Sequence, residues 1–329
     1  MNVAHIVLQE CDRVVSVLSP AMRLRLAAIP GVALVAVAAA MWGTDPIIRK
    51  TMSQSTSATT IVFGEHVILV LLTLPLLLPA LRAVFRAGWR YVLAAVVVGA
   101  GASAVATILF TDALIGHRDF ITPVVIQKIQ PFVAVAGAAL LLRERPRPRF
   151  ASFFVVGLAG FWLVNQPDPL HPSARGWVVI AEATGAAILW AMGTVLGRYL
   201  ARKLEFQDVL ALRFFFGLVA SAIALPVMGV GAYSNGHDSL LILYLAVVTG
   251  LIALALYYYG LQKTPAVLAS LAELTFPAVF VVAGIYGNSQ PLVWSQWLGV
   301  AVIIATVTLL PVQRRRDVVT ELAPEAAPA

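Results

Sequence analysis

The sequence predicts an all-α integral membrane protein in which ten transmembrane helices form two inverted five-helix repeats. Three observations carry that reading. Of the 329 residues, 60% are apolar and only 12% charged, against roughly one quarter charged in soluble domains. Apolar runs of about 18 residues or more, long enough for a hydrocarbon core of about 30 Å, recur along nearly the whole chain. The two halves of the chain also resemble each other.

The runs cover 29–49, 58–81, 90–114, 120–142, 150–166, 176–198, 207–231, 239–262, 265–286 and 293–312. Lipid offers the backbone no hydrogen-bond partners, so runs near this length without alternation are expected as helices. Residues 1–28 mix polar and apolar groups and read as a cytoplasmic arm. A cleavable signal ending at AVAAA is set aside because the apolar run continues through Trp42 and nine further spans follow. Residues 313–329, ending ELAPEAAPA, have the composition of a disordered tail. Cys11 is the one cysteine, which excludes an intramolecular disulfide or a cysteine-based metal cluster.

The net charge of +7 does not point to nucleic acid, because the basic residues collect in alternate loops. If the N-terminus is inside, seventeen lie on the cytoplasmic side, among them Arg143, Arg145, Arg147 and Arg149. Four lie outside, namely Arg49, Lys50, Arg118 and Arg175, and Lys128 and Arg213 fall within spans. This is the positive-inside pattern, with both termini cytoplasmic in a plasma (inner) membrane.

The internal repeat aligns AAAMWGTDPIIRK of span 1 with GAAILWAMGTVLGRYL of span 6, laying Trp42 on Trp190. It also aligns DALIGHRDFITPVVIQKIQPFVAVAG with YGLQKTPAVLASLAELTFPAVFVVAG, laying Pro131 on Pro277. The repeats are then 29–166 and 176–312, with five spans each. An odd number inverts the second relative to the first, an arrangement that places a transport site between the halves near the midplane.

Several motifs together resemble one family. WGTDPIIRK in span 1, the arginine of LALRFFFG in span 7, LLLRERP after span 4 and WLGVAVIIATVTLL in span 10 resemble the EamA-type drug/metabolite transporter superfamily over roughly residues 30–312. The resemblance implies ten helices, cytoplasmic termini, a central cavity, and export of amino acids, amines or other small drug-like metabolites. Span 2 departs from the pattern, carrying FGEHVILVLL where many members have an arginine.

Candidate site residues are the polar groups that an apolar run does not need. Pro131 withholds a backbone donor from the Gln127 carbonyl, and Pro277 does the same to Glu273, so each repeat is expected to kink beside a polar side chain. Helical spacing puts Gln127 and Pro131 on one face, with Gln130 and Lys128 flanking it. Lys128 lies roughly 12 Å along its span, too deep for easy snorkelling, so it needs a partner or water. Asp45, Glu65 with His66, and Asp112 are its candidate partners. Both a structural ion pair and a substrate or gating role fit Lys128. Glu273, at similar depth, suits proton coupling or substrate binding, and a hydrogen-bonded packing role also fits. Trp42 and Trp190 sit in mid-span, where they could stack on a substrate or pack against neighbours. Arg213 is expected to reach headgroups or loop acids, Tyr257, Tyr258 and Tyr259 to form an interfacial belt, and Gly193 with Gly197 to permit close helix packing.

None of the four lysines follows a glycine, so the chain has no Walker A sequence and energy must come from a gradient, from exchange or from a partner. A membrane lipid or prenyl transferase would need metal-binding carboxylates or a His/Asp pair at helical spacing, and DxxD, ExxE, HxxxD and HExxH are absent. A non-transporting scaffold would leave the charges inside the spans unexplained. The reading is therefore a secondary transporter, not an enzyme, exporting small metabolites by alternating access. Its partners are a small-molecule substrate and the lipid bilayer, without nucleic acid, metal or cofactor; a homodimer is compatible with it.

Overall fold

A computed structural model of the chain describes residues 29–52, 56–117, 122–142, 148–165, 177–276, 278–280, 282, 293–295, 297–306 and 309. The N-terminal arm, the C-terminal tail and Pro277 lie outside these residues. All regular structure among them is helical.

Six helices are long and apolar enough to cross a membrane: α1 (Gly31–Lys50), α2 (Ala58–Ala87), α3 (Trp89–Gly116), α6 (Trp177–Leu200), α7 (Phe206–Val227) and α8 (Gly236–Gln262). The other four expected spans fall on α4 (122–142), α5 (Pro148–Asn165), α9 (Ala266–Ala272, resuming at 275) and α10 (Trp297–Thr306). These are shorter helices, pieces of mixed helix type or segments flanked by undescribed residues, so ten complete spans are not on view.

Polar residues start the helices where the chain needs them. Ser57 Oγ accepts Thr60 N–H at 3.1 Å before α2, and Asn235 Oδ1 accepts Asp238 N–H at 2.9 Å before α8. Each side chain satisfies one of the four donors a helix start leaves open. Thr56 Oγ1 donates to Asp238 Oδ2, tying these two starts together across 182 residues. Leu71, Leu72, Leu74, Leu78 and Phe85 project from the far face of α2 with more than half their surface exposed, as lipid-facing side chains do.

Helices of the two halves interleave. α7 packs on α2 and α3, α8 on α1, α6 on α3 and α4, and α9 on α4 and α1. Glycines allow the closest of these approaches. A Cβ on Gly193 would strike the Ala102 side chain, and one on Gly197 the Tyr258 ring, which agrees with a packing role for this pair.

Three departures from regular α-helix shape the centre. α1 breaks at Gly43–Thr44 and restarts at Asp45 with Pro46 in its first turn, a position where proline's missing donor costs nothing. α4 tightens to a 3₁₀ turn over Gln127–Ile129. α3 and α8 each contain a π-helical stretch, Val97–Val105 and Leu245–Ile252; such segments often mark functional sites.

Candidate functional site

The breaks and π segments surround a cavity of about 160 Å³ between the two halves, room for on the order of ten waters or one small solute. Eight of the substrate, coupling and ion-pair candidates line it: Trp42, Asp45, Glu65, His66, Gln127, Gln130, Trp190 and Glu273. Asp112 does not line it. The Lys128 backbone belongs to the 3₁₀ turn of α4, but its side chain lies outside the described residues, as does that of Pro131.

The carbonyls expected to be freed by the prolines find donors three residues on. Gln130 N–H bonds the Gln127 carbonyl through the 3₁₀ turn, and Phe276 N–H bonds the Glu273 carbonyl at 3.1 Å where α9 interrupts itself. Both repeats thus answer the missing α-helical bond with a tighter turn, leaving one lone pair of each carbonyl available.

Side chains from both halves converge on Glu273. Its Oε2 accepts from Gln130 Nε2 at 2.8 Å, and its Oε1 from Tyr257 Oη at 2.9 Å and Thr194 Oγ1 at 3.2 Å. Tyr257 also lies 2.7 Å from Thr194 Oγ1. Its single proton therefore goes to one of the two: when it goes to Glu273 the threonine proton completes the Tyr257–Thr194 bond, and when it goes to Thr194 the threonine proton serves Glu273. Tyr257 is 3% exposed, which corrects its assignment to an interfacial belt: the hydroxyl is turned inward to the carboxylate.

Arg49 corrects the sequence reading more sharply. Expected in an outer loop, it is 2% exposed on the cavity wall. Its Nε donates to Asp45 Oδ1, its Nη2 lies 3.1 Å from Asp45 Oδ2, and the same Nη2 lies 2.8 Å from Glu65 Oε1. Asp45 also accepts from Thr249 Oγ1 at 3.1 Å. Asp45 and Glu65, offered from sequence as partners for Lys128, thus engage Arg49. Their i, i+4 spacing to Arg49 in the case of Asp45 was the available signal.

His66, beside Glu65 in sequence, serves a different contact. Its Nδ1 lies 2.7 Å from the Val62 carbonyl and its Nε2 2.9 Å from Ser103 Oγ. A carbonyl only accepts, so Nδ1 carries hydrogen, and in the neutral ring Nε2 accepts from the serine. Gly217 of α7 lies directly against this ring; a Cβ there would overlap it.

Arg213 is 9% exposed and lines the cavity, so the expected reach to headgroups or loop acids is replaced by burial. Its Nη1 donates to Tyr258 Oη at 3.0 Å and its Nη2 to the Ala102 carbonyl at 3.1 Å. That carbonyl is available because of the π segment: Ala106 N–H bonds Gly101, five residues back, and passes over Ala102. The same device recurs in α8. Ala253 N–H bonds Val248 and Gly250 and passes over Thr249, whose carbonyl accepts Trp42 Nε1 at 2.8 Å. In each half a π-helical register releases a carbonyl to a cavity side chain of the other half.

The aromatic lining is paired across helices. Trp42 and Tyr257 have ring centroids 5.1 Å apart, as do Phe110 and Trp190. Asp112 instead joins His117 and Glu182 in a group of potential ligands apart from the cavity, with His117 Nε2 3.8 Å from Asp112 Oδ2 and 3.4 Å from Glu182 Oε2.

The hydroxyls of Ser103, Thr194, Thr249 and Tyr257 were not singled out for the site from sequence. Serine and threonine are common throughout membrane helices, bonded to their own backbone, and carry no signal of this kind.

Comparison with known proteins agrees with the two-part architecture. The model of the EamA-like transporter family matches residues 29–166 and again 177–311. A riboflavin transporter, ImpX of Fusobacterium nucleatum, is 26% identical over 272 residues, covering 77% of this chain and 88% of its own. An uncharacterized transporter of Clostridium kluyveri is 25% identical over 175 residues, 51% of this chain and 55% of its own. A solved crystal structure shares the fold with a TM-score of 0.67 at 17% identity, over 87% of this chain and 98% of that one. Two matched regions spanning most of its length place this multi-pass membrane protein: the chain belongs to the EamA-like transporter family.

Proposed function

We propose that the chain is a secondary active transporter that exports a small metabolite through the cavity between its halves. In this reading ten helices form two oppositely oriented repeats, 29–166 and 176–312. The arm 1–28 and the tail 313–329 face the cytoplasm from a plasma membrane. The two family matches and the bias of basic residues support this arrangement. Trp42, Gln127, Gln130 and Trp190, with Lys128 from the sequence reading, form the substrate wall; Glu273 couples the cycle.

The observation that carries the proposal is the carboxylate of Glu273 held by donors from both halves, Gln130 on one side and Tyr257 with Thr194 on the other. An ionised carboxylate accepts from Gln130 on one oxygen and from the Tyr257–Thr194 pair on the other. Once protonated on Oε2, the oxygen facing Gln130, it has a hydrogen to place there, and the Gln130 amide turns its oxygen inward or lets go. Proton uptake thereby loosens a contact between the repeats, which is what alternating access requires of a coupling residue.

The aromatic pairs, together with the relative named as a riboflavin transporter, favour a planar aromatic solute among the metabolites considered. The test is solute flux in proteoliposomes, using labelled riboflavin, amino acids and organic cations with and without a pH gradient. Gradient-dependent accumulation is expected for wild type, and Glu273→Gln is expected to abolish accumulation while keeping exchange. Wild-type pH dependence in that variant removes Glu273 from the mechanism; no flux of any solute removes the transporter reading.

A further inference from the structure

The two buried arginines of the cavity are compensated differently. Arg49 has two carboxylates within ion-pair distance. Arg213 has none among the described residues; the acceptors it holds, Tyr258 Oη and the Ala102 carbonyl, are neutral. Its Nε is buried without an acceptor. Taking a guanidinium out of water without a counter-charge is among the costliest arrangements a protein makes, and it is tolerated where a ligand or partner supplies the charge.

The guanidinium is also held in place. The Tyr258 ring lies 5.9 Å from its central carbon, within cation–π range. A Cβ on Gly99 would meet the Arg213 carbonyl, so α3 and α7 approach as closely as glycine allows. The π segment, which releases the Ala102 carbonyl, fixes the second nitrogen. His66 of α2 packs on Gly217, four residues beyond Arg213 on α7, and presents a ring whose nitrogens are already engaged. A fixed, partly satisfied guanidinium on a cavity wall suits an oxyanion, to which arginine's planar fork is matched.

We propose that Arg213 anchors a negatively charged oxygen group, carboxylate or phosphate, of the transported solute, so that the cavity selects organic anions with an aromatic body. The proposal rests on the cavity's being the transport site. It narrows the solute to those that bring the missing charge to Arg213.

The test uses full-length protein in detergent and four probes: phenylacetate, phenylacetamide and phenethylamine, which share one ring and differ in charge, and inorganic phosphate. Thermal stabilisation is titrated at constant ionic strength. Wild type is expected to respond to phenylacetate at concentrations on the order of ten- to a hundredfold lower than to the amide or the amine, and to respond to phosphate. Arg213→Gln is expected to erase that preference, and Arg213→Lys to keep part of it. Independently of folding of the variants, phenylglyoxal labelling of wild-type Arg213, read by peptide mass, is expected to be blocked by phenylacetate and not by phenylacetamide. Equal response to anion and amide, a preference that survives Arg213→Gln, unprotected labelling, or no response to any probe overturns the proposal. Anion preference without solute flux in proteoliposomes leaves the subsite standing and removes the transport reading. Flux without anion preference does the reverse.

Discussion

Arg49 and Arg213 lie buried in the wall of one cavity, but one is enclosed by acids and the other by neutral oxygens. Arg49 joins the restarted end of α1 to α2 through Glu65, within one repeat; its Nη1 also lacks an acceptor, but its charge is answered by two carboxylates. Arg213 binds across the repeats to α3 and within its own repeat to α8, and its charge is unanswered among the described residues. Paired buried charge fixes packing, whereas unpaired charge on a cavity wall is available for chemistry.

The comparison is broken most severely by removing the paired arginine. Arg49→Gln strands Asp45 and Glu65 without their counter-charge and is expected to destabilise the protein by about 3–5 kcal/mol, measured by chemical unfolding in detergent. Adding Glu65→Gln in the same chain is expected to recover part of the loss. Arg213→Gln strands no carboxylate and is expected to cost clearly less; equal losses would erase the distinction between the two sites. The smaller effect is expected at the seam between them. Gly217→Ala pushes a methyl into the His66 ring, and overpacking of this kind costs about 1–3 kcal/mol. A Gly217→Ala variant as stable as wild type would show that the His66 ring moves freely out of its contact with α7.

The π segments of α3 and α8 make a second contrast. Both pass over a carbonyl and hand it to the opposite half, but the client is a guanidinium in one case and an indole in the other. The backbone device is shared by the repeats; the side chains that use it are not. On the proposed reading, solute choice belongs to side chains such as Arg213 and Trp42, laid over a backbone device that both halves use.

Hydropathy was enough to place six helices nearly end to end, because each run satisfies its own backbone and exposes apolar side chains to lipid. The interruption of α1 was also legible: Gly-Thr-Asp-Pro joins a helix stop to a helix start, yet within an apolar run it was read as continuous span. The π stretches were not legible, since Val97–Val105 and Leu245–Ile252 are composed like any membrane helix and differ in register alone. In the site, Trp42, Gln130, Trp190 and Glu273 stood out because polar or mid-span aromatic groups are costly in lipid. Arg49 was lost to the loop because hydropathy falls at the end of span 1 whether an arginine meets water or a pair of acids. Tyr257 was lost because one hydroxyl among three tyrosines carries no direction in sequence.

The central claim is that solute passes through the cavity between the repeats, and the sequence offers a direct way to test it. Cys11 is the sole cysteine, so Cys11→Ser gives a chain without thiols. Thr107, half-buried on the cavity wall, can then be replaced with cysteine. In proteoliposomes carrying both substitutions, a charged methanethiosulfonate is expected to stop solute flux, and excess transported solute to slow the labelling. Full labelling of Thr107→Cys with unchanged flux would contradict the account.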